Sequence, residues 1–152
     1  MTTAHLIVVG KLKDKNLEAI EKEYLKRIKN PSLLVHEVKA KAENKNLEAE
    51  VVLKKINDLA KNGTTYIVAM TEFGREFESP KLSEWIVDKI ENYQDIFFVI
   101  AGAEGHGQGL LDKANAKLSL SKLTFPHKIA RIIFIEQFYR ALTIRDGHPY
   151  HN

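Results

Sequence analysis

The chain has no cysteine. Disulfides and thiolate metal sites are therefore excluded. It has no apolar run approaching the ~20 residues that cross a bilayer. Its opening stretch, MTTAHLIVVGKLKD, lacks a basic lead, and its apolar run is too short for a secretory signal. These absences point to a cytoplasmic protein with no membrane partner. Glycine and proline are sparse, at eight and four residues, and no repeat, low-complexity stretch or linker interrupts the chain. A single domain over 1–152 is the simplest organisation. Catalytic arrangements are missing too. There is no Gly-x-Ser-x-Gly elbow, no Ser/His/Asp set and no paired-carboxylate signature, so hydrolase chemistry has no support.

What remains is an ordinary globular composition, 44% hydrophobic and 28% charged. Four runs, HLIVVG, LLVHEV, TYIVAM and DIFFVIAG, read as buried strands, with AKLSLS a shorter fifth. Helical patterns lie between them. NLEAIEKEYLKRI places Leu17, Ile20, Tyr24 and Ile28 on one face. NLEAEVVLKKINDLAKNG closes on Gly63 as its cap, and SPKLSEWIVDKIEN opens with Ser79 as cap and Pro80 at the first helical position. Strands alternating with helices predict an α/β fold with a mostly parallel sheet and flanking helices. The last helical segment, 126–142, is apolar nearly all round. Such a helix is buried on several sides, and its second partner is expected to be another subunit in a homodimer. Glu136 and Arg140 stand at i, i+4, a favourable ion-pair spacing.

Net charge is only +3. From residue 117 onward, however, six Lys/Arg stand against two acids, a net +4, together with His127, His148 and His151. This is either a surface for a polyanion or a solvated, mildly basic face, and charge alone leaves both open.

Ligands of open α/β sheets collect outside the carboxyl ends of the strands. The loops there are TEFGRE, AGAEGHGQG and SKLTFPH. The glycines of the second loop fit neither nucleotide fingerprint. G-x-G-x-x-G from Gly105 needs glycine where Leu110 stands, and the phosphate loop needs lysine where Gln108 stands. A sharp turn that a ligand can approach closely, or a merely flexible turn, both remain. LSLSKLTFPH suits a neutral heterocycle such as adenine, or else is a core strand and a turn. His148 and His151 form H-x-x-H, but Pro149 lies between them and no third ligand is evident, so no metal is expected. His5 and His36 sit in strand patterns as packed or surface residues, and His106 in its glycine loop is expected to be solvated.

FVIAGAEG, followed by LSLSKLTFPHKIARIIFIEQFYRALTIRDGHPYH, closely resembles the ribosomal RNA large subunit methyltransferase H family of SPOUT-class enzymes. The resemblance covers essentially the whole chain. It implies a C-terminal deep trefoil knot, a homodimer, and S-adenosylmethionine as methyl donor. It also implies methylation of N3 of a pseudouridine in 23S ribosomal RNA on the assembled ribosome. Matching positions place the donor against Met70, Gly74, Ala101, Gly102, Gly105, Leu120, Ser121, Lys122, Leu123, Thr124 and Phe125. Ala101 departs from the family's glycine pair. Arg140, Tyr150 and His151 become catalytic, while His127, Arg131, Arg145 and His148 face the RNA. Asp146-Gly147 is then the turn that brings the tail over the target base, in the same chain or across the dimer. A base or a water takes the ring proton, and His148 and His151 are the nearby side chains suited to that role. A catalytically silent RNA-binding assembly factor is the alternative, and a different nucleotide-binding enzyme on a similar sheet is a third.

Overall fold

Strand β4 (Asp95–Ile100, DIFFVI) is buried at every position. Only a strand covered on both faces can carry such a run. It lies between β1 (Thr3–Val9) and β3 (Thr65–Arg75) in a five-stranded sheet completed by β2 (Leu33–Val38) and β5 (Ala116–Leu118). The order is β2-β1-β4-β3-β5, with every pairing parallel. The structure, a computed structural model, describes residues 1–42 and 44–152.

Helices α1 (Lys15–Arg27), α3 (Ser79–Asn92) and α5 (His127–Arg145) cover one face, and α2 (Lys45–Leu59) and α4 (Gln108–Lys113) the other. Alternate strand residues serve the two sides. Phe98 packs against Phe134 and Phe138 of α5 at ring separations of 4.7 and 5.9 Å, while Phe97 joins Val52 and Ile56 of α2. The chain therefore changes sides between α4 and α5, through β5 and the loop 119–126.

Several local expectations are corrected. TEFGRE does not lie wholly outside the sheet: β3 continues to Arg75 with a broken register, so that Met70 and Arg75 both face Leu118. The bulged residues between them are pushed out of the ladder. Gly74 lies where a Cβ would stand 2.7 Å from the Leu118 backbone, so no larger residue lets β3 and β5 approach this closely. Ile20 is exposed, and the buried residue of α1 is Glu21, because a charged partner waits for it on α5. Ala60 rather than Gly63 ends α2, and Glu78 rather than Ser79 precedes α3. Ser79 instead donates from its hydroxyl to Gln137 Oε1 at 2.9 Å, tying α3 to α5.

Candidate functional site

Three segments, the bulged loop 71–74 within the end of β3 and the loops that follow β4 and β5, enclose a cavity of about 270 Å³. Its walls bring together Met70, Ala101, Gly102, Gly105, Leu120, Ser121, Leu123, Thr124 and Phe125, with His127 at the first turn of α5. Gly105 turns the middle loop at a φ of +83°, and its N–H donates to Gly102 O at 3.1 Å. Ala101 is absent from the left-handed region, so its methyl group is tolerated where the family pattern has glycine. Two residues assigned to the donor pocket stand apart from the lining. Gly74 shapes the wall only through the β3–β5 approach, and the Lys122 ammonium projects into solvent, 3.9 Å from Glu76.

Two lining residues escaped the sequence reading. His106 is not solvated: its Nε2–H donates to Met70 O at 2.8 Å and latches the glycine loop to β3. Burial lowers its pKa, outweighing the support from that bond, so the ring is neutral near pH 7. Its placement between Gly105 and Gly107 was the available signal, since a ring so flanked has room to fold inward. Glu72 accepts a hydrogen bond from the Thr124 hydroxyl and ties the first loop to the third. The described lining contains that one carboxylate and neither lysine nor arginine.

The tail forms a second cluster at the far end of α5. After Gly147, the His148 N–H donates to Thr143 O at 2.9 Å and the chain folds back along the helix. The Tyr150 hydroxyl donates to Glu136 Oε2 at 2.8 Å, and its ring stands edge-on to Tyr139 at 4.7 Å. Burial, with the neighbouring Tyr24 and Glu136, raises the Tyr150 pKa and keeps the phenol protonated. Arg140 grips Glu136 at 2.7 and 3.2 Å, lies 4.9 Å over the Tyr150 ring and donates to His151 Nδ1 at 3.0 Å. Burial opposes ionisation of Glu136, but the bonds from Arg140 and Tyr150 win and hold its pKa below the usual range.

Arg140, Tyr150 and His151 are thus together, but they do not close the cavity of their own chain. Ala130 lines that cavity, and Arg140 lies ten residues further along α5, about 15 Å at 1.5 Å per residue. The Asp146-Gly147 turn leads the tail toward Tyr24 and Tyr139 instead.

The RNA assignments divide. Arg131 is corrected: it is only 4% exposed, with Nε and Nη2 on Glu21 at 2.6 and 2.9 Å and Nη1 on Glu37 at 2.7 Å. Three of its five N–H donors are held by carboxylates, and burial keeps the side chain from presenting the others to a phosphate. Arg145 is held by Asp146 at 2.7 Å and by Asn30 O at 2.7 Å. His148 is exposed, and its Nδ1 accepts from Tyr150 N at 3.1 Å. Its partner in H-x-x-H is occupied by Arg140, so the two histidines serve different bonds. Of the basic residues after 117, Arg131 is spent inside the fold on Glu21 and Glu37, while Arg140 and Arg145 pair with Glu136 and Asp146, the two acids of the same segment.

Comparison with known proteins agrees with this architecture. Residues 2–151 match the family model described as "Predicted SPOUT methyltransferase". The ribosomal RNA large subunit methyltransferase H of Prochlorococcus marinus (strain NATL1A) is 40% identical, covering 96% of this chain and 93% of its own. That of Clostridium acetobutylicum is 38% identical, covering 96% and 97%. A solved structure, a probable methylase family protein from Haemophilus influenzae Rd KW20, shares the fold at a TM-score of 0.60. It is 10% identical, and the match covers 99% of this chain and 71% of that one. A family model spanning nearly every residue, and curated relatives aligned end to end, place this chain in the SPOUT methyltransferase family, among the ribosomal RNA large subunit methyltransferases H.

Proposed function

We propose that the chain methylates N3 of a pseudouridine in 23S ribosomal RNA of the assembled ribosome, in the cytoplasm, with S-adenosylmethionine as donor. The carrying observation is the cavity lining: apolar walls, short hydroxyls, one carboxylate and no lysine or arginine among the described residues. Such a site disfavours phosphate and suits a neutral heterocycle joined to a cationic group. Met70, Leu120 and Phe125 would cover the heterocycle, and Glu72 would answer the positive charge. The donor, when bound, supplies an electrophilic methyl: nitrogen–methyl bond formation accompanies sulfur–methyl cleavage, sulfur keeps the electron pair, and the ring nitrogen loses its proton. The residues of this chain orient the reactants and exclude water. His106 keeps the glycine loop fixed, and the Glu72–Thr124 bond closes the first loop on the third.

The same reading calls for two copies. Phe73 and Leu123, both in the cavity lining, are 87% and 70% exposed, and Ile129 in the first turn of α5 is 39% exposed. Apolar side chains so placed support burial against a second chain, whose tail then brings Arg140, Tyr150 and His151 to this cavity. The passage of 119–126 from one face of the sheet to the other supports the knot of the family. Calorimetry tests the carrying observation. S-adenosylmethionine is expected to bind at micromolar concentration and ATP not to bind. Equal binding of ATP, or no binding of the sulfonium, overturns the assignment.

A further inference from the structure

The tail cluster defines where the proton of His151 sits. Arg140 cannot accept a hydrogen bond, because every guanidinium nitrogen is a donor. The 3.0 Å contact between its Nη1 and His151 Nδ1 therefore requires a bare Nδ1. The single proton of the neutral ring is then on Nε2. Among the described residues no group meets Nε2, and the ring is half-buried, so that N–H is offered outward.

The orientation of Arg140 is itself imposed. Glu136 takes its Nε and Nη2, Tyr150 lies beneath its plane, and the remaining Nη1 points along the tail. Glu136 also accepts from the Tyr150 hydroxyl and from Gln137 Nε2 at 2.9 Å, so four donors converge on one carboxylate. A His151 serving as base at Nε2 would need its proton on Nδ1, facing the Arg140 donor. That state is closed while the cluster is intact.

We propose that His151 acts on the target base as a hydrogen-bond donor through Nε2–H, and that Glu136 is the positioning residue that fixes it there. This rests on the methyl-transfer reading above. The reacting nitrogen of a uracil-type ring lies between two carbonyl groups and carries a proton when neutral. A donor on a flanking carbonyl oxygen stabilises the negative charge that develops as that proton leaves to water. No proton passes to His151.

Two measurements decide it. Imidazole ¹⁵N spectra of the free wild-type chain near neutral pH should show His151 as the Nε2–H tautomer. Glu136→Gln should erode that preference and lower kcat while leaving KM for the donor unchanged. In methylation of ribosomes across pH, His151→Gln, whose amide can still donate, should keep activity within about tenfold of wild type with the same pH profile. His151→Ala should lose about a hundredfold. A Gln variant as inactive as Ala, with the acidic limb of the profile altered in both, overturns the proposal, as does an Nδ1–H tautomer. A wild-type chain that transfers no methyl removes the reading beneath and this role with it.

Discussion

Replacing Arg131 by methionine separates a structural arginine from one that meets RNA. The side chain is 4% exposed and makes three charge-assisted bonds of 2.6 to 2.9 Å to Glu21 and Glu37. Methionine keeps much of the volume but strands the Glu21 carboxylate, itself only 9% exposed, without a partner. Breaking a buried pair in this way costs about 3–5 kcal/mol. For a chain of this size each kcal/mol shifts Tm by about 2–4 °C, so a fall of roughly 10 °C is expected. Circular dichroism melts measure it. Adding Glu21→Leu should recover part of the loss, since an apolar replacement relieves the stranded charge. The pH dependence has a defined sign. Burial works against ionisation of Glu37, but Arg131 and the Leu12 N–H hold its folded pKa below the usual value. Its contribution is therefore present above the unfolded carboxylate range and disappears as pH falls through the lowered folded value. Wild-type and variant melts should converge in acid. A variant that melts like wild type yet binds ribosomes poorly would refute the reasoning and return Arg131 to the RNA.

Other expectations follow from single features. Gly74→Ala should destabilise by about 1–3 kcal/mol in urea titration and weaken donor binding, because its methyl would press on the Leu118 backbone; an unchanged midpoint contradicts the close approach. Burial dominates at His5 and lowers its folded pKa despite the Asp95 bond at 3.1 Å. The unfolded chain then binds more protons, so stability should fall as pH drops below the unfolded value of about 6.5. In His5→Gln that acid dependence should be shallower, which urea midpoints at pH 7 and pH 5 will show. Thr124→Val frees Glu72 and should weaken donor binding about tenfold by calorimetry with little change in Tm.

Legibility followed the range of the interaction. The central strands could be read because parallel strands buried on both faces are continuous apolar runs, as DIFFVI is. Helix α4 escaped because QGLLDK is only six residues long and follows a glycine turn. The cavity loops were found by the rule for strand ends, and the Glu136–Arg140 pair by its spacing of four. Arg131 was misread because its acids lie 110 and 94 residues away in sequence, so a core clamp looked like part of a basic surface. His106 was missed for a similar reason, its partner being a backbone carbonyl 36 residues upstream. The path of the tail depends on Tyr24, 126 residues from Tyr150, and no local pattern reports that contact.

The most direct test of the account is methyl transfer itself. Purified chain, labelled S-adenosylmethionine and ribosomes lacking the modification are incubated together, and the nucleosides of 23S ribosomal RNA are analysed by mass spectrometry. Label is expected in N3-methylpseudouridine. Label in another nucleoside, or none in the presence of folded chain and intact ribosomes, would contradict it.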